Sequence, residues 1–172
     1  ALPVARLYRP TIVYQHNGSF CGPASVVNVL RSVGEPAEQE TLLEGTGFAT
    51  VQGRLVGGLS LEQLGELARL KLGGQVRVLS PADAEAFRAL LRRTNEPGGR
   101  AILNFHRGPL FGQGGGHHSP VAGYLEEEDL ALVLDVNPNF KPWLVRSARL
   151  FEAMDTVDVG EKKKRGLILI ER

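Results

Sequence analysis

The sequence predicts an α+β architecture, with helices in the first half of the chain and a mostly antiparallel sheet in the second. Three observations carry this. Apolar residues recur at helical spacing in stretches beginning near Gly22, Leu61 and Pro81, the last two behind strong N-terminal start signals. Beyond residue 100 the pattern changes to short apolar runs divided by glycine-rich, acidic and Asn/Pro-rich turns. No internal repeat, low-complexity segment or linker interrupts the 172 residues, so a single domain over 1–172 with one substantial core is expected.

Residues 1–14 read as an extended lead-in, with Leu7, Tyr8, Ile12, Val13 and Tyr14 around Arg9-Pro10. A helix follows over about Gly22–Val33. Val26, Val27, Val29, Leu30 and Val33 supply its apolar positions, Asn28 and Arg31 fall on other faces, and Gly34 ends it. Its many β-branched residues make a poor helix in isolation, so burial has to hold it. A short helix near Ala37–Leu43 gives way to a glycine-broken loop. Ser60 and Gln63 form a capping box that opens the stripe Leu61, Leu64, Leu67, Ala68 and Leu70, which stops before Gly73-Gly74. Gln75–Leu79 alternates as a strand. Ser80-Pro81-Ala82-Asp83 starts the next helix with Pro81 in its first position and runs to about Arg93, with Phe87, Leu90 and Leu91 turned inward.

Ala101–Phe105 reads as a strand and Gly108–Gly116 as a glycine loop. His117–Tyr124 and Leu130–Val136 are two strands joined by the acidic turn Glu126-Glu127-Glu128-Asp129. An Asn/Pro-rich loop through Pro142, a helix over Ser147–Met154 and an apolar strand over Gly166–Glu171 complete the chain.

Composition narrows the function classes. Lys and Arg number 20 against 19 Asp and Glu, a formal charge of +1, so no bulk basic field suggests nucleic acid. The run Glu161-Lys162-Lys163-Lys164-Arg165 reads as a solvated turn. No apolar stretch approaches the roughly 20 residues that cross a bilayer, so no membrane contact is expected. The lone cysteine cannot form an internal disulfide and leaves the redox compartment open. If Ala1 is a processed N-terminus, export to the periplasm follows; otherwise the protein is cytoplasmic.

That cysteine, Cys21, stands where the polar loop Gln15–Phe20 meets the first helix. A thiol at a helix N-terminus feels the positive end of the dipole, which favours thiolate. Gln15, six residues upstream, offers an amide to a developing oxyanion. The bland alternative is a buried, inert small hydrophobe. A cysteine nucleophile needs a base, and the base needs an orienting acceptor. His117 and His118 open a strand directly after the glycine loop, and Asp135 closes the next strand, so a hairpin through the acidic turn brings His117 and Asp135 together. Adjacent strand residues face opposite ways, which predicts that only one histidine serves. The pattern alone barely separates them. Opposed faces and the lack of a second cysteine argue against a zinc site. His16 and His106 read as structural.

Gln15-x5-Cys21-Gly22, Gly115-Gly116-His117-x-Ser119-Pro120 and Leu134-Asp135-Val136 together resemble the catalytic domain of phytochelatin synthases, which are papain-like cysteine peptidases acting on glutathione. Ser60-Leu61-Glu62-Gln63-Leu64-Gly65, Phe151–Asp158 and Lys164-Arg165-Gly166 also match, in order, so the likeness spans about Tyr14–Ile170. It implies a papain-like fold whose helical half carries the nucleophile and whose antiparallel sheet half carries His and Asp. Cys21 would be the nucleophile, His117 the base, Asp135 the triad acid and Gln15 the oxyanion amide. His118 falls where the family carries a hydrophobic residue. Gly116, Ser119, Arg165 and Lys141 are the candidate substrate-binding positions.

By this resemblance Cys21 attacks the Cys–Gly carbonyl of glutathione, glycine leaves, and a γ-glutamylcysteinyl thioester passes to water or to a second glutathione. Hydrolysis would need no cofactor, and heavy-metal ions would enter as glutathione thiolates in transfer. Glutathione is the expected partner molecule, a homodimer is admitted, and nucleic acid and membrane are not expected. The departures lie in Asn137–Trp143, which lacks the family's basic, Tyr- and Pro-rich run, so that Lys141 or Arg165 would have to supply the cation expected just after the acid. They favour hydrolysis with weak or no phytochelatin synthesis. Two rivals stand: a C39-like peptidase cutting double-glycine leaders, whose family continues G-H-F-V-V rather than G-H-x-S-P, and an inactive papain-like binding module.

Overall fold

A computed structural model describes residues 2–8 and 11–172. Its frame is an antiparallel sheet of six strands in the order β1 (Gln75–Leu79), β8 (Leu167–Glu171), β2 (Gly99–His106), β3 (Gly116–Leu125), β4 (Leu130–Leu134) and β5 (Pro142–Arg146). Side chains alternate across the central strands, so each face collects its own core. Ile102, Ala122, Ile168 and Ile170 pack with α1 (Cys21–Ser32) and α3 (Leu61–Leu72) on one face. Leu103, Phe105, Val121, Leu167 and Leu169 pack with α4 (Ala84–Arg93) and α6 (Ser147–Met154) on the other.

Burial decides the first helix. All of α1 except Arg31 is buried, which holds a β-branched sequence in a helix its own propensity would not sustain. Gly22 lets α3 approach closely, because a Cβ there would lie 3.0 Å from Leu64 Cδ1. Asn28 straps the lead-in to the helix: its Oδ1 accepts from Val13 N and its Nδ2 donates to Val13 O. On α3 the capping box is formed in full, with Ser60 Oγ accepting from Gln63 N and Gln63 Oε1 from Ser60 N. A bulge at Val121/Gly123 moves Tyr124 to the second core, and Gly123 takes the positive φ of 147° that this requires.

The structure differs from the sequence expectations at several points. The lead-in contains a 3₁₀ turn over Val4–Tyr8, while Arg9-Pro10 lies outside the described residues, and the short helix expected near Ala37–Leu43 is a single turn, α2 (Gln39–Leu42). The start of α4 falls at Ala84 rather than Pro81, because Asp83 is itself the N-cap and accepts from Ala86 N at 2.8 Å. The glycine loop holds a one-turn helix, α5 (Gly108–Phe111). Strand β4 stops at Leu134, which places Asp135 just beyond it. Residues 142–146 form the edge strand β5, and β6 (Val157–Asp158) pairs with β7 (Lys163–Lys164) in a small hairpin.

Candidate active site

Cys21 is the first residue of α1. Phe20 occupies the N-cap and cannot cap the helix with its side chain, so the first-turn N–H groups are left for another acceptor. Cys21 packs against Ala24 and Val136, and Gln15 N donates to Val136 O at 2.8 Å, which draws the polar loop, the helix end and the residue after Asp135 to one place. Gln15 Nε2 donates to Asn17 O at 2.9 Å, while its Oε1 is buried without a partner.

His118 Nδ1 lies 3.7 Å from Cys21 Sγ, within reach of a hydrogen bond to sulfur. His117 and His118 are the first two side chains of β3 and leave opposite faces of the strand, with His118 on the thiol. Burial opposes ionisation of Cys21, but the hydrogen bonds of His117 and His118 outweigh it and hold the thiol well below its ordinary value. His117 moves the other way: burial disfavours its charge, yet Asp135 and the Cys21 thiolate raise it. Thiolate and imidazolium stabilise each other.

Asp135 is fully buried among donors. Its Oδ1 accepts from Arg107 Nη2 at 2.8 Å and Asn137 N at 2.9 Å, and its Oδ2 from Trp143 Nε1 at 3.0 Å. Burial would raise its pKa; His117 and Arg107 prevail and keep it well below the usual carboxylate range. His117 Nε2 stands 3.1 Å from Asp135 Oδ1, close enough for an ion pair, with its N–H angled off the line of a formed hydrogen bond. Such bonds commonly tighten only once substrate is bound.

Beyond His118 a pocket opens. Asn104 Nδ2 is 2.8 Å from His118 Nε2, and Arg165 Nη1 donates to Asn104 Oδ1 at 3.0 Å and to Asp158 Oδ2 at 2.5 Å. Asn104, Asp158, Arg165, Ser60 and Ser80 line it. Gly116 makes room for the guanidinium, since a Cβ there would lie 2.8 Å from Arg165 Nη1. Arg165 Nε is buried and unpartnered.

Two of the expected substrate-binding positions stand elsewhere. Ser119 is fully buried and its Oγ accepts from Val136 N at 3.3 Å, tying β3 to the chain after Asp135. Lys141 is exposed, with a φ of 57°, at the turn into β5 and lines no part of the pocket. The cation beside the acid is Arg107, held under Phe140 with its guanidinium carbon 3.8 Å from the ring centre. Arg107, Trp143, Asn104 and Asp158 were not read from the sequence. Only Asn104 carried a local signal, as the lone amide within the apolar run Ala101–Phe105. His106 Nδ1 accepts from Gly108 N, and His16 pairs with exposed Glu40.

A family model described as phytochelatin synthase matches residues 5–167. Over 105 residues the chain is 37% identical to glutathione gamma-glutamylcysteinyltransferase 1 of Arabidopsis thaliana, covering 54% of this chain and 22% of that protein. Over 72 residues it is 40% identical to glutathione gamma-glutamylcysteinyltransferase 1 of Triticum aestivum, covering 41% of this chain and 14% of that protein. The matched stretch is thus about a fifth or less of either relative's length. Among solved structures, a C39-like peptidase from Bacillus anthracis superposes with a TM-score of 0.64 at 12% identity, covering 96% of each chain. The peptidase domain of Streptococcus ComA, a bi-functional ABC transporter, superposes with a TM-score of 0.59 at 19% identity, covering 92% of this chain and 94% of that one. At such identities the likeness establishes the α+β, papain-like peptidase fold.

Proposed function

The chain belongs to the phytochelatin synthase family, and we propose that it is a cysteine peptidase that cleaves the Cys–Gly bond of glutathione through a thioester on Cys21. The observation that carries this reading is the continuous line of contacts from Cys21 Sγ through His118 and Asn104 to Arg165 and Asp158 in the pocket. A γ-glutamyl group ends in a free ammonium and a free carboxylate. Asp158 and Arg165 offer the opposite charges side by side, and a planar guanidinium suits a carboxylate.

In the first half-reaction the Cys21 thiolate attacks the cysteinyl carbonyl carbon and forms the C–S bond. The oxyanion is received by the Cys21 N–H and by the amide of Gln15. Collapse breaks the C–N bond, and His117 gives its proton to the departing glycine amine. In the second, His117 takes a proton from water, the resulting hydroxide attacks the thioester, and γ-glutamylcysteine leaves as the thiolate is restored. Asp135 holds the imidazole in place and stabilises its charged form. Every step uses backbone or side-chain groups of this chain, and a second glutathione replacing water would give the transfer product.

Glycine release from glutathione by the wild type, lost in Cys21→Ala, is the expected result. Equal rates would sink the reading. Cutting of a double-glycine leader with no glycine released from glutathione would replace it with leader-peptide cleavage.

A further inference from the structure

The contacts behind Cys21 determine where protons sit. A guanidinium has N–H groups only, so the Asn104 atom 3.0 Å from Arg165 Nη1 is the carbonyl oxygen. The amide nitrogen then faces His118, with Nδ2 2.8 Å from Nε2. Because Asn104 donates there, His118 Nε2 must offer its lone pair and carry no proton. A neutral imidazole has one N–H, and here it is left on Nδ1, 3.7 Å from Cys21 Sγ.

We propose that His118 is a second catalytic imidazole of this chain, locked by Asn104 and Arg165 as the neutral Nδ1–H tautomer, which donates to the Cys21 thiolate and takes no part in proton transfer. His117, paired with Asp135, carries the moving proton. The division of labour follows from partners. His117 has a carboxylate that stabilises a charged ring; His118 has an amide donor that opposes one. Cys21, Asn104, His118 and Arg165 are all buried, so water competes little for these bonds. The charged or titratable groups around the site are His118 on the thiol, His117 with Asp135 and Arg107 behind it, Arg165 and Asp158 behind Asn104, and Glu62, Glu161, Lys163 and Lys164 on the pocket wall. Hydrogen bonds from both imidazoles act against burial to hold the Cys21 thiol below its ordinary value.

The hydrogen bond from His118 is stronger to a thiolate than to a thioester sulfur. It therefore favours departure of Cys21 from the acyl-enzyme, the step that hydrolysis needs. That consequence rests on the proposed function, whereas the tautomer and the thiol acidity are measured without glutathione.

The experiment follows iodoacetamide alkylation against pH for wild type and His118→Phe, and records ¹⁵N spectra of histidine-labelled wild type with His118 assigned through its amide connectivity. Expected are a rise in the thiol pKa of about one to two pH units in the variant, the shift for losing one hydrogen bond to a charged acceptor, and Nδ1–H shifts for His118 at neutral pH. An unchanged thiol pKa in folded His118→Phe overturns the proposal. So does an Nε2–H or doubly protonated His118 in the wild type, which decides the matter even if the variant fails to fold. A wild type that passes both measurements yet releases no glycine would instead remove the glutathione reading.

Discussion

The two ends of α1 hold buried polar groups of similar kind in opposite states. At the C-terminal end, buried Arg100 places its donors on oxygen: Nε on Ser32 Oγ at 2.8 Å, Nη1 on Pro97 O and Gly99 O at 2.8 Å each, and Nη2 on Ser32 O at 3.2 Å. At the N-terminal end the accounting is incomplete. Among the described residues, Gln15 Oε1, Arg107 Nη1, His117 Nε2 and Arg165 Nε are four of the five buried side-chain polar atoms with no hydrogen-bond partner. Each such atom costs stability, and folded proteins keep few of them. Four stand at the Cys21 end and the fifth, Tyr8 Oη, at the other end beside Arg100, so the shortfall is concentrated, though not confined, where the proposed substrate binds. Buried charge alone does not identify a site. Unmet bonding capacity gathered beside Cys21 is the more specific sign.

The sharpest way to break this contrast is at the incomplete end. His117→Ala removes the group assigned to both proton transfers and is expected to lower kcat/KM for glutathione about 10²–10⁴-fold. The pH profile is the diagnostic part. Cys21 is lowered and His117 raised, so the thiolate–imidazolium pair exists between the two values. Wild-type kcat/KM should rise as pH passes the lowered thiol value and fall as pH passes the raised imidazole value. In His117→Ala the alkaline fall should vanish. A variant that keeps that limb would assign it to another group.

Next in size is Arg165→Met. Loss of a charge-assisted clamp should raise KM for glutathione about ten- to a hundredfold. A glutathione analogue without the γ-glutamyl α-carboxylate should be handled almost equally by the two proteins, provided it is compared on KM. If the variant loses as much on the analogue as on glutathione, Arg165 does not meet that carboxylate.

How far these features could be read in advance depends on how local their causes are. The Ser60–Gln63 box and the helix over Ser147–Met154 depend on residues within a turn of one another, and both lie where the pattern places them. Strand β5 was missed because its five residues alternate at a sheet edge with no capping signal, and Trp143 looked like part of a loop. The meeting of His117 with Asp135 was legible because one hairpin brings them together. Arg107 was not, since it reaches Asp135 from a distant segment that spacing does not encode; Asp158 meets Arg165 across the β6–β7 hairpin, whose two-residue strands carry no pattern of their own. The two histidines were inseparable for a different reason: alternation gives the face of a strand but not the position of a thiol at its end.

The smallest effect on catalysis is expected at the Arg100 end, and it tests the contrast from the other side. Arg100→Met keeps the length and apolar stem of the side chain but removes the donors held by Ser32, Pro97 and Gly99. Tyr8, whose ring centre is 6.0 Å from the guanidinium carbon, would not be left as a stranded anion: burial, working against Arg100 and Ser32, pushes its hydroxyl up to about 12 and keeps it neutral. The loss is therefore that of buried acceptors without partners, about 1–3 kcal/mol, partly relieved because a buried cation no longer has to be desolvated. A lower urea midpoint with an unchanged m-value, and kcat/KM within about twofold of wild type, is the expected pair of results. If kcat/KM instead fell in step with Arg165→Met, strain at one end of α1 would be reaching Cys21 through the helix, and the two ends could no longer be treated as separate.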